Sequence, residues 1–285
     1  MTVIHNESSF MLDNVVAATE RDAAEQNPRR ILNNIHLMIS PGEWLNIVGT
    51  NGCGKSTLAR LIAGVTVEGA AGLMQRGFAG AMPAPYVMQQ PDVQLFGETP
   101  REEIRFALEW RGLSAAEIET RIAAVLEHTQ LSALADLSWE YLSGGQRQMA
   151  AIAAALAVDA PLIVCDEATS MLDDEAGLRA LALVRSMHER GAAVVWVTQR
   201  LQELNPGQRI IAMREGEISF DGNVRSFFYG NCAANRAKER LSPCEACGLR
   251  LPYLAALAVE WSRQGLLADP LPVTSAEWRK VLNER

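Results

Sequence analysis

Nine consecutive residues, Gly49-Thr50-Asn51-Gly52-Cys53-Gly54-Lys55-Ser56-Thr57, constrain this chain more than any other feature. They fill every slot of the phosphate-cradling pattern G-x-x-x-x-G-K-[ST], whose glycines let several backbone N–H groups turn toward one anion. In that pattern Lys55 reaches the β- and γ-phosphates, and the Ser56 hydroxyl faces Mg²⁺. Cys53 lies inside the loop, where backbone rather than side chain does the binding, so its identity is tolerated. The pattern needs a strand in front and a helix behind. Trp44-Leu45-Asn46-Ile47-Val48 reads as the strand, launched from the turn Ser40-Pro41-Gly42-Glu43. A helix is expected from about Thr57 through Ile62, with its positive end toward the same phosphates.

Two later stretches extend the same chemistry. Leu142-Ser143-Gly144-Gly145-Gln146 precedes Met149, Ile152, Ala153 and Leu156, which fall at helical spacing. The pentapeptide therefore caps a helix start and makes a second anion receptor. One molecule cannot easily bring two such receptors to one phosphate; two molecules packed head to tail can. Pro161-Leu162-Ile163-Val164-Cys165-Asp166-Glu167 is an apolar run ending in two acids, the pattern of a buried parallel strand delivering carboxylates at its C-terminal edge. Asp166 is then a ligand for Mg²⁺ and Glu167 the group that polarises an attacking water. Two acids after a strand can also cap a helix, and it is the two preceding motifs that weigh against that.

With 285 residues, nearly half of them apolar, the chain has material for one large domain, or one plus an appendage. A formal net charge of −8 argues against general nucleic-acid binding, which leaves a basic footprint. The longest apolar run, Met149 to Val158, is too short to span a membrane. Met1 to Glu7 lacks the basic and apolar regions of a secretory signal, and five cysteines at irregular spacing suit reduced thiols. A cytosolic, soluble protein is expected, able to sit at a membrane by binding something embedded there.

These motifs resemble those of the ATP-binding-cassette (ABC) ATPases, whose own signature is LSGGQ, here Leu142 to Gln146. The resemblance implies an α/β fold of the P-loop NTPase class and ABC type. Its parts would be a mainly parallel sheet core, an antiparallel β-subdomain, a helical signature subdomain and a C-terminal helical extension. ATP and Mg²⁺ are the implied ligands. Gln89, in Val87-Met88-Gln89-Gln90-Pro91-Asp92, matches the family glutamine that touches the metal and senses the γ-phosphate, and Ser170-Met171-Leu172-Asp173 matches the loop that crosses the dimer interface. Catalysis would fall to Lys55, Glu167 and Gln199, while Ser143, Gly144, Gly145 and Gln146 would grip nucleotide held by a partner.

Gln90 to Gly97, followed by Thr99, Glu103, Phe106 and Leu108, is similar to the ATPases of energy-coupling-factor (ECF) vitamin and metal importers. So is the stretch from Gly248-Leu249 through Pro252, Gly265, Leu271-Pro272 and Trp278. That likeness implies an ATPase domain over residues 1–228, with its helical subdomain at about 91–158, and an extension over 229–285. It implies as partners a second ABC ATPase subunit, a transmembrane scaffold whose coupling helices dock on the helical subdomain, and indirectly a substrate-binding membrane subunit. It places the chain in the cytoplasm, peripheral on the inner face of the cell membrane. Ser114 to Glu127 reads as a surface helix of that subdomain. DNA-repair cassettes need a long coiled-coil insertion, for which the stretch from Lys55 to Leu142 leaves no room, and translation cassettes carry two ATPase domains. A regulatory or non-transport cassette with little turnover is the competing reading.

The sequence departs from the family in three places. Gln199, after Val194-Val195-Trp196-Val197-Thr198, stands where the family has a histidine that contacts the γ-phosphate, so slow hydrolysis is expected at this chain's own site. A subunit with a weak site beside an intact signature favours a heterodimer over a homodimer. No aromatic occupies the adenine-stacking place, which falls near Thr19 within a polar stretch read as a loop, and Gly64 to Pro85 looks like a trimmed β-subdomain. Cys53, at a helix N-terminus, is expected to be reactive, with ATP shielding it. Cys232, Cys244 and Cys247 are one thiol short of a zinc site, and Trp110, Trp139, Trp196, Trp261 and Trp278 are expected to pack.

Overall fold

The computed structural model describes residues 8–18, 30–230 and 241–283. The chain begins β1 (Phe10–Ala18), β2 (Arg30–Ile39), β3 (Trp44–Gly49), α1 (Lys55–Ala63), β4 (Ala71–Gln75) and β5 (Tyr86–Val87). It continues through α2 (Pro100–Glu109), α3 (Ala115–His128), α4 (Gly144–Ala157), β6 (Leu162–Asp166), α5 (Asp174–Glu189) and β7 (Ala193–Val197). The hairpin of β8 (Arg209–Arg214) and β9 (Glu217–Asn223) leads to α6 (Val224–Tyr229), α7 (Pro243–Ala246), α8 (Tyr253–Arg263) and α9 (Ser275–Asn283).

Strands without a polar face must be covered on both sides. β3, β6 and β7 are buried along their whole lengths and sit inside a six-stranded sheet of order β5-β6-β7-β3-β8-β9. All its pairings are parallel except β8 with β9. One face is covered by α2 to α5, with Ile104, Ile122, Leu126 and Ile152 packed toward Trp44 and Trp196. The other is covered by α1 and a second, three-stranded antiparallel sheet of order β2-β1-β4. Gly64 to Pro85 gives that sheet one strand, β4, all five residues of which are exposed. The stretch from Thr19 to Pro28 lies outside the described residues.

Helix starts follow local chemistry. Ser114 and Glu117 form a reciprocal capping box on α3, Thr99 caps α2 ahead of Pro100, and Asp173 caps α5. The phosphate-loop helix begins at Lys55, two residues before the sequence expectation, and ends at Ala63. α6 to α9 bury Phe227, Cys244, Ala255, Ala258 and Trp278 against Val48, Ile210 and Ala212 of β3 and β8, so the C-terminal helices share a core with the sheet. The outcome that matters is alignment: β3, β6 and β7 are adjacent parallel strands, and the loops leaving all three open at one edge, the place where open α/β sheets bind ligands.

Candidate active site

The phosphate loop leaves β3 in a shape that excludes side chains at its ends. Gly49 has φ 150° and an added Cβ would lie 2.4 Å from the Met213 carbonyl oxygen. Gly54 has φ 103°, caps α1, and its Cβ would meet the Ile31 carbonyl oxygen at 2.7 Å. Both positions need glycine. Lys55 is buried, and its ammonium donates to the carbonyls of Gly49 at 2.9 Å and Thr50 at 3.0 Å, so its charge is folded across the loop it serves.

A cavity of about 380 Å³ opens at this loop, lined by Ile31, Asn51, Gly52, Gly54, Lys55, Ser56, Thr57, Gln89, Glu167 and Gln199. Residues from the exits of β3, β5, β6 and β7 thus meet around one space. A larger groove of about 810 Å³ lies on the loop's other flank, beside Cys53, Arg214, Cys247 and Gly248, but Lys55, Asp166 and Glu167 do not line it.

Asp166 ends β6 with its carboxylate buried. Its Oδ2 accepts a hydrogen bond from the Tyr86 phenol at 2.7 Å, and its Oδ1 has no protein partner. A buried carboxylate oxygen without a donor costs desolvation free energy unless something else satisfies it. The Ser56 hydroxyl and the Gln89 amide line the cavity, and with the Asp166 carboxylate, one residue before the cavity-lining Glu167, they make a donor set of hard oxygens, which suits Mg²⁺. Burial and the neighbouring Asp166 charge push the Tyr86 phenol well above its ordinary value, which keeps it a donor. Tyr86 was invisible as a site residue in sequence; a phenol opening a short strand three positions before Gln89 was the available signal.

Glu167 follows at φ 52°, a left-handed conformation uncommon for a residue with a side chain and of a kind that concentrates at functional sites. Its N–H donates to the Val197 carbonyl at 2.9 Å. Its Oε1 accepts from the Gln199 amide nitrogen at 2.6 Å, and the same nitrogen donates to Asn51 Oδ1 at 2.6 Å. Gln199 therefore bridges the carboxylate to the phosphate loop through both of its N–H bonds. The Asn51 side chain thus takes part in the site.

Ser143 caps α4, accepting from the Gln146 N–H at 3.3 Å while the Gln146 side chain accepts from the Ser143 N–H at 2.8 Å. Ser143, Gly144, Gly145 and Gln146 do not line the cavity, and a Cβ on Gly144 would meet nothing within 4 Å. In the neighbouring loop Met171 is exposed and Asp173 caps α5 by accepting from the Ala176 N–H at 2.8 Å.

Two expectations are corrected. The Cys53 thiol is not an activated one: it is buried beneath the loop, and desolvation raises its pKa despite Lys55 nearby. Burial outweighs the helix terminus there. Trp110 is 69% exposed rather than packed, unlike Trp196, Trp261 and Trp278. Cys244 and Cys247 are buried, burial pushing Cys244 up to about 12, and among the described residues no cluster fit to hold a metal through His, Cys, Asp and Glu is present. Cys232 lies outside the described residues.

A sheet edge with a phosphate loop, two strand-end acids and a separate helix capped by Ser143 ahead of two glycines defines the class of ATP-binding cassettes. Comparison with known proteins agrees. The family model described as ABC transporter matches residues 32–170. The chain is 32% identical over 254 residues to the energy-coupling factor transporter ATP-binding protein EcfA1 of Streptococcus mutans, covering 86% of this chain and 87% of that one. It is 35% identical over 256 residues to EcfA1 of Symbiobacterium thermophilum, covering 86% and 85%. Among solved structures, the cassette MJ0796 in a dimeric post-hydrolysis state with ADP and Pi aligns at TM-score 0.65 and 26% identity, over 76% of this chain and 100% of that one. The fold of cbiO1 from Clostridium perfringens, part of the ABC transporter complex cbiONQ, aligns at TM-score 0.62 and 23% identity, over 82% and 96%. The chain belongs to the ABC ATPase family, and within it is similar to the energy-coupling-factor ATP-binding proteins. It is an ATPase.

Proposed function

We propose that this chain is an ATP-binding and hydrolysing subunit of an ECF-type importer, working at the inner face of the membrane through partners. Its ATPase domain would extend to about residue 228, with the later helices as the extension that adds dimer contacts. The observation that carries the reading is the meeting of Lys55, Ser56, Gln89, Glu167 and Gln199 at one cavity, with the buried and unpartnered Oδ1 of Asp166 one residue before Glu167 in the chain. Backbone N–H groups of Gly49 to Thr57 bind the β- and γ-phosphates, and Lys55 exchanges its carbonyl partners for phosphate oxygens. Ser56, Gln89 and Asp166 would hold Mg²⁺, which would supply charge neutralisation on those phosphates. Glu167 orients the water that attacks in line. Gln199 holds Glu167 against the phosphate loop with a neutral amide, a weaker grip on developing charge than an imidazolium gives. Hydrolysis at this site is accordingly slow.

Ser143 to Gln146 serves the nucleotide of a second cassette, which fits their absence from this chain's own cavity. A slow site beside an intact signature favours a heterodimer. Docking of a transmembrane scaffold is supported by an exposed aromatic patch on the helical subdomain: Phe96 stacks on Phe106 at 5.6 Å, and the outward-facing Trp110 meets Phe106 edge-on at 6.3 Å. With Phe96 76% and Trp110 69% exposed, the patch has the character of a surface that another apolar element covers. Among the described residues no helix is long and apolar enough to cross a membrane, so the bilayer would be reached through that scaffold.

The test is ATP-dependent association. The full-length Glu167→Gln variant with ATP and Mg²⁺, alone and with a candidate partner cassette, is passed over a sizing column. A nucleotide-loaded dimer is expected, lost on Ser143→Arg. Failure of the parent chain to retain ATP, or dimers indifferent to both nucleotide and Ser143, would overturn the reading.

A further inference from the structure

The loops that carry Glu167 and Gln199 leave the sheet side by side. Their last backbone anchors are the Glu167 N–H to the Val197 carbonyl at 2.9 Å and the Thr198 N–H to the Ile47 carbonyl at 3.1 Å. Just past those anchors a single carboxylate joins the two loops. Glu203, its side chain 10% exposed, sits at the end of a short 3₁₀ turn, Leu201–Glu203. Its Oε1 accepts from the Thr169 hydroxyl at 2.7 Å. Its Oε2 accepts from the Thr198 hydroxyl at 2.9 Å and the Trp196 indole N–H at 3.1 Å. The Arg200 guanidinium, 3.8 Å from Oε1, also approaches Asp174 at 3.5 Å.

The positions of these donors matter. Thr169 lies two residues after Glu167, and Thr198 immediately precedes Gln199. Thr169, Trp196 and Thr198 are all buried, and the Thr198 hydroxyl in turn accepts from the Arg200 N–H at 2.9 Å. Bonds to a carboxylate are about twice as strong as neutral ones, and three converge here, from Thr169 and Thr198 in the two loops and from Trp196 in β7. The 2.6 Å contact between Gln199 and Glu167 therefore rests on a frame whose far side is Glu203.

We propose that Glu203 is a positioning residue for hydrolysis, fixing the Glu167 and Gln199 loops relative to one another without touching nucleotide. The proposal rests on the roles assigned above to Glu167 and Gln199. Glu203→Gln keeps the shape but turns an N–H₂ toward one of the donors, so one loop is released; Thr198→Val cuts the tie from the other end. In the full-length chain, single-turnover hydrolysis is expected to fall about tenfold or more in Glu203→Gln and less in Thr198→Val, the scale of loss that small misplacement of reacting groups produces. The MgATP dissociation constant should stay unchanged. In a Gln199→Ala background, Glu203→Gln should bring no further loss, because the two residues act on one geometry.

Parental rates in both single variants would overturn the proposal. So would independent, multiplying effects in the double variant, or a rate loss matched by weaker nucleotide binding, the mark of a merely structural role. If Glu203→Gln does not fold, Thr169→Val and Thr198→Val decide by the same criteria. Glu167→Gln is the control: hydrolysis surviving there would sink the site reading itself, whereas its abolition with Glu203→Gln fully active would sink this inference alone.

Discussion

The phosphate loop and the signature stretch are made of the same parts, glycines at the start of a helix, yet their surroundings differ. Gly49 to Thr57 is enclosed: Lys55 folds back over the loop, Glu167 and Gln199 close over it from the next strands, and Asp166 waits behind with a free oxygen. Ser143 to Gln146 is open. Its two polar side chains cap their own helix and it borders none of the acids that could activate water. A helix N-terminus is enough to hold an anion, but splitting one needs carboxylates at the same place. The comparison separates a half of this chain that holds the acids from a half that holds an anion receptor alone.

The sharpest way to break that comparison is to remove the acid from the enclosed half. Glu167→Gln should lower single-turnover hydrolysis by about 10²–10⁴-fold, the usual weight of a positioned general base, while equilibrium dialysis shows ATP still bound. If ATP retention falls instead, Glu167 belongs to binding and the division is misdrawn.

Next in size is the support behind Asp166. Tyr86→Phe removes the donor to Oδ2 without changing any residue that lines the cavity. Outer-shell partners of metal ligands typically contribute about tenfold or more in affinity, and a loss near tenfold is expected for Mg²⁺, or for Mn²⁺ followed by its paramagnetic signal. Unchanged affinity would mean the phenol merely fills space. On the open half, Ser143→Ala should cost about 1 kcal/mol of stability through the lost cap, read in denaturant, without altering ATP retention by the isolated chain.

Legibility in the sequence followed the range of the interactions. Motifs that are local in sequence were readable: the loop at Gly49 to Thr57, the capped helix at Ser143, and the acids ending β6 each carry their geometry within a few residues. The surface helix at Ser114 was readable for the same reason, since a capping box is a local pattern. What escaped was contact between distant segments. Tyr86 meets Asp166 across the pairing of β5 with β6, and Asn51 meets Gln199 across the sheet edge, neither of which any spacing announces. Cys53 was misread because a helix terminus is visible in sequence while burial of its side chain in the core that includes Leu58 and Met213 is not. Trp110 was misread in the opposite sense: a large aromatic is expected inside, and only the packing of α2 shows it turned outward.

The smallest expected effect sharpens the comparison from within the catalytic half. Gln199 spends both N–H bonds on Asn51 and Glu167, so it has none left for phosphate in this arrangement. A histidine there can bridge Glu167 with one ring nitrogen and offer the other to the γ-phosphate. The gain is one charge-assisted bond in place of a neutral one, worth under about 1 kcal/mol net, which is a roughly threefold to fivefold faster turnover for Gln199→His. The measurement is steady-state hydrolysis by the full chain alone and then with a partner cassette. A rise in both settings would mean that Gln199 limits this site. A flat response in both would mean that Glu167 and the partner's signature already supply what hydrolysis needs, and that the neutral amide is an adequate substitute rather than the mark of a subunit given over to gripping.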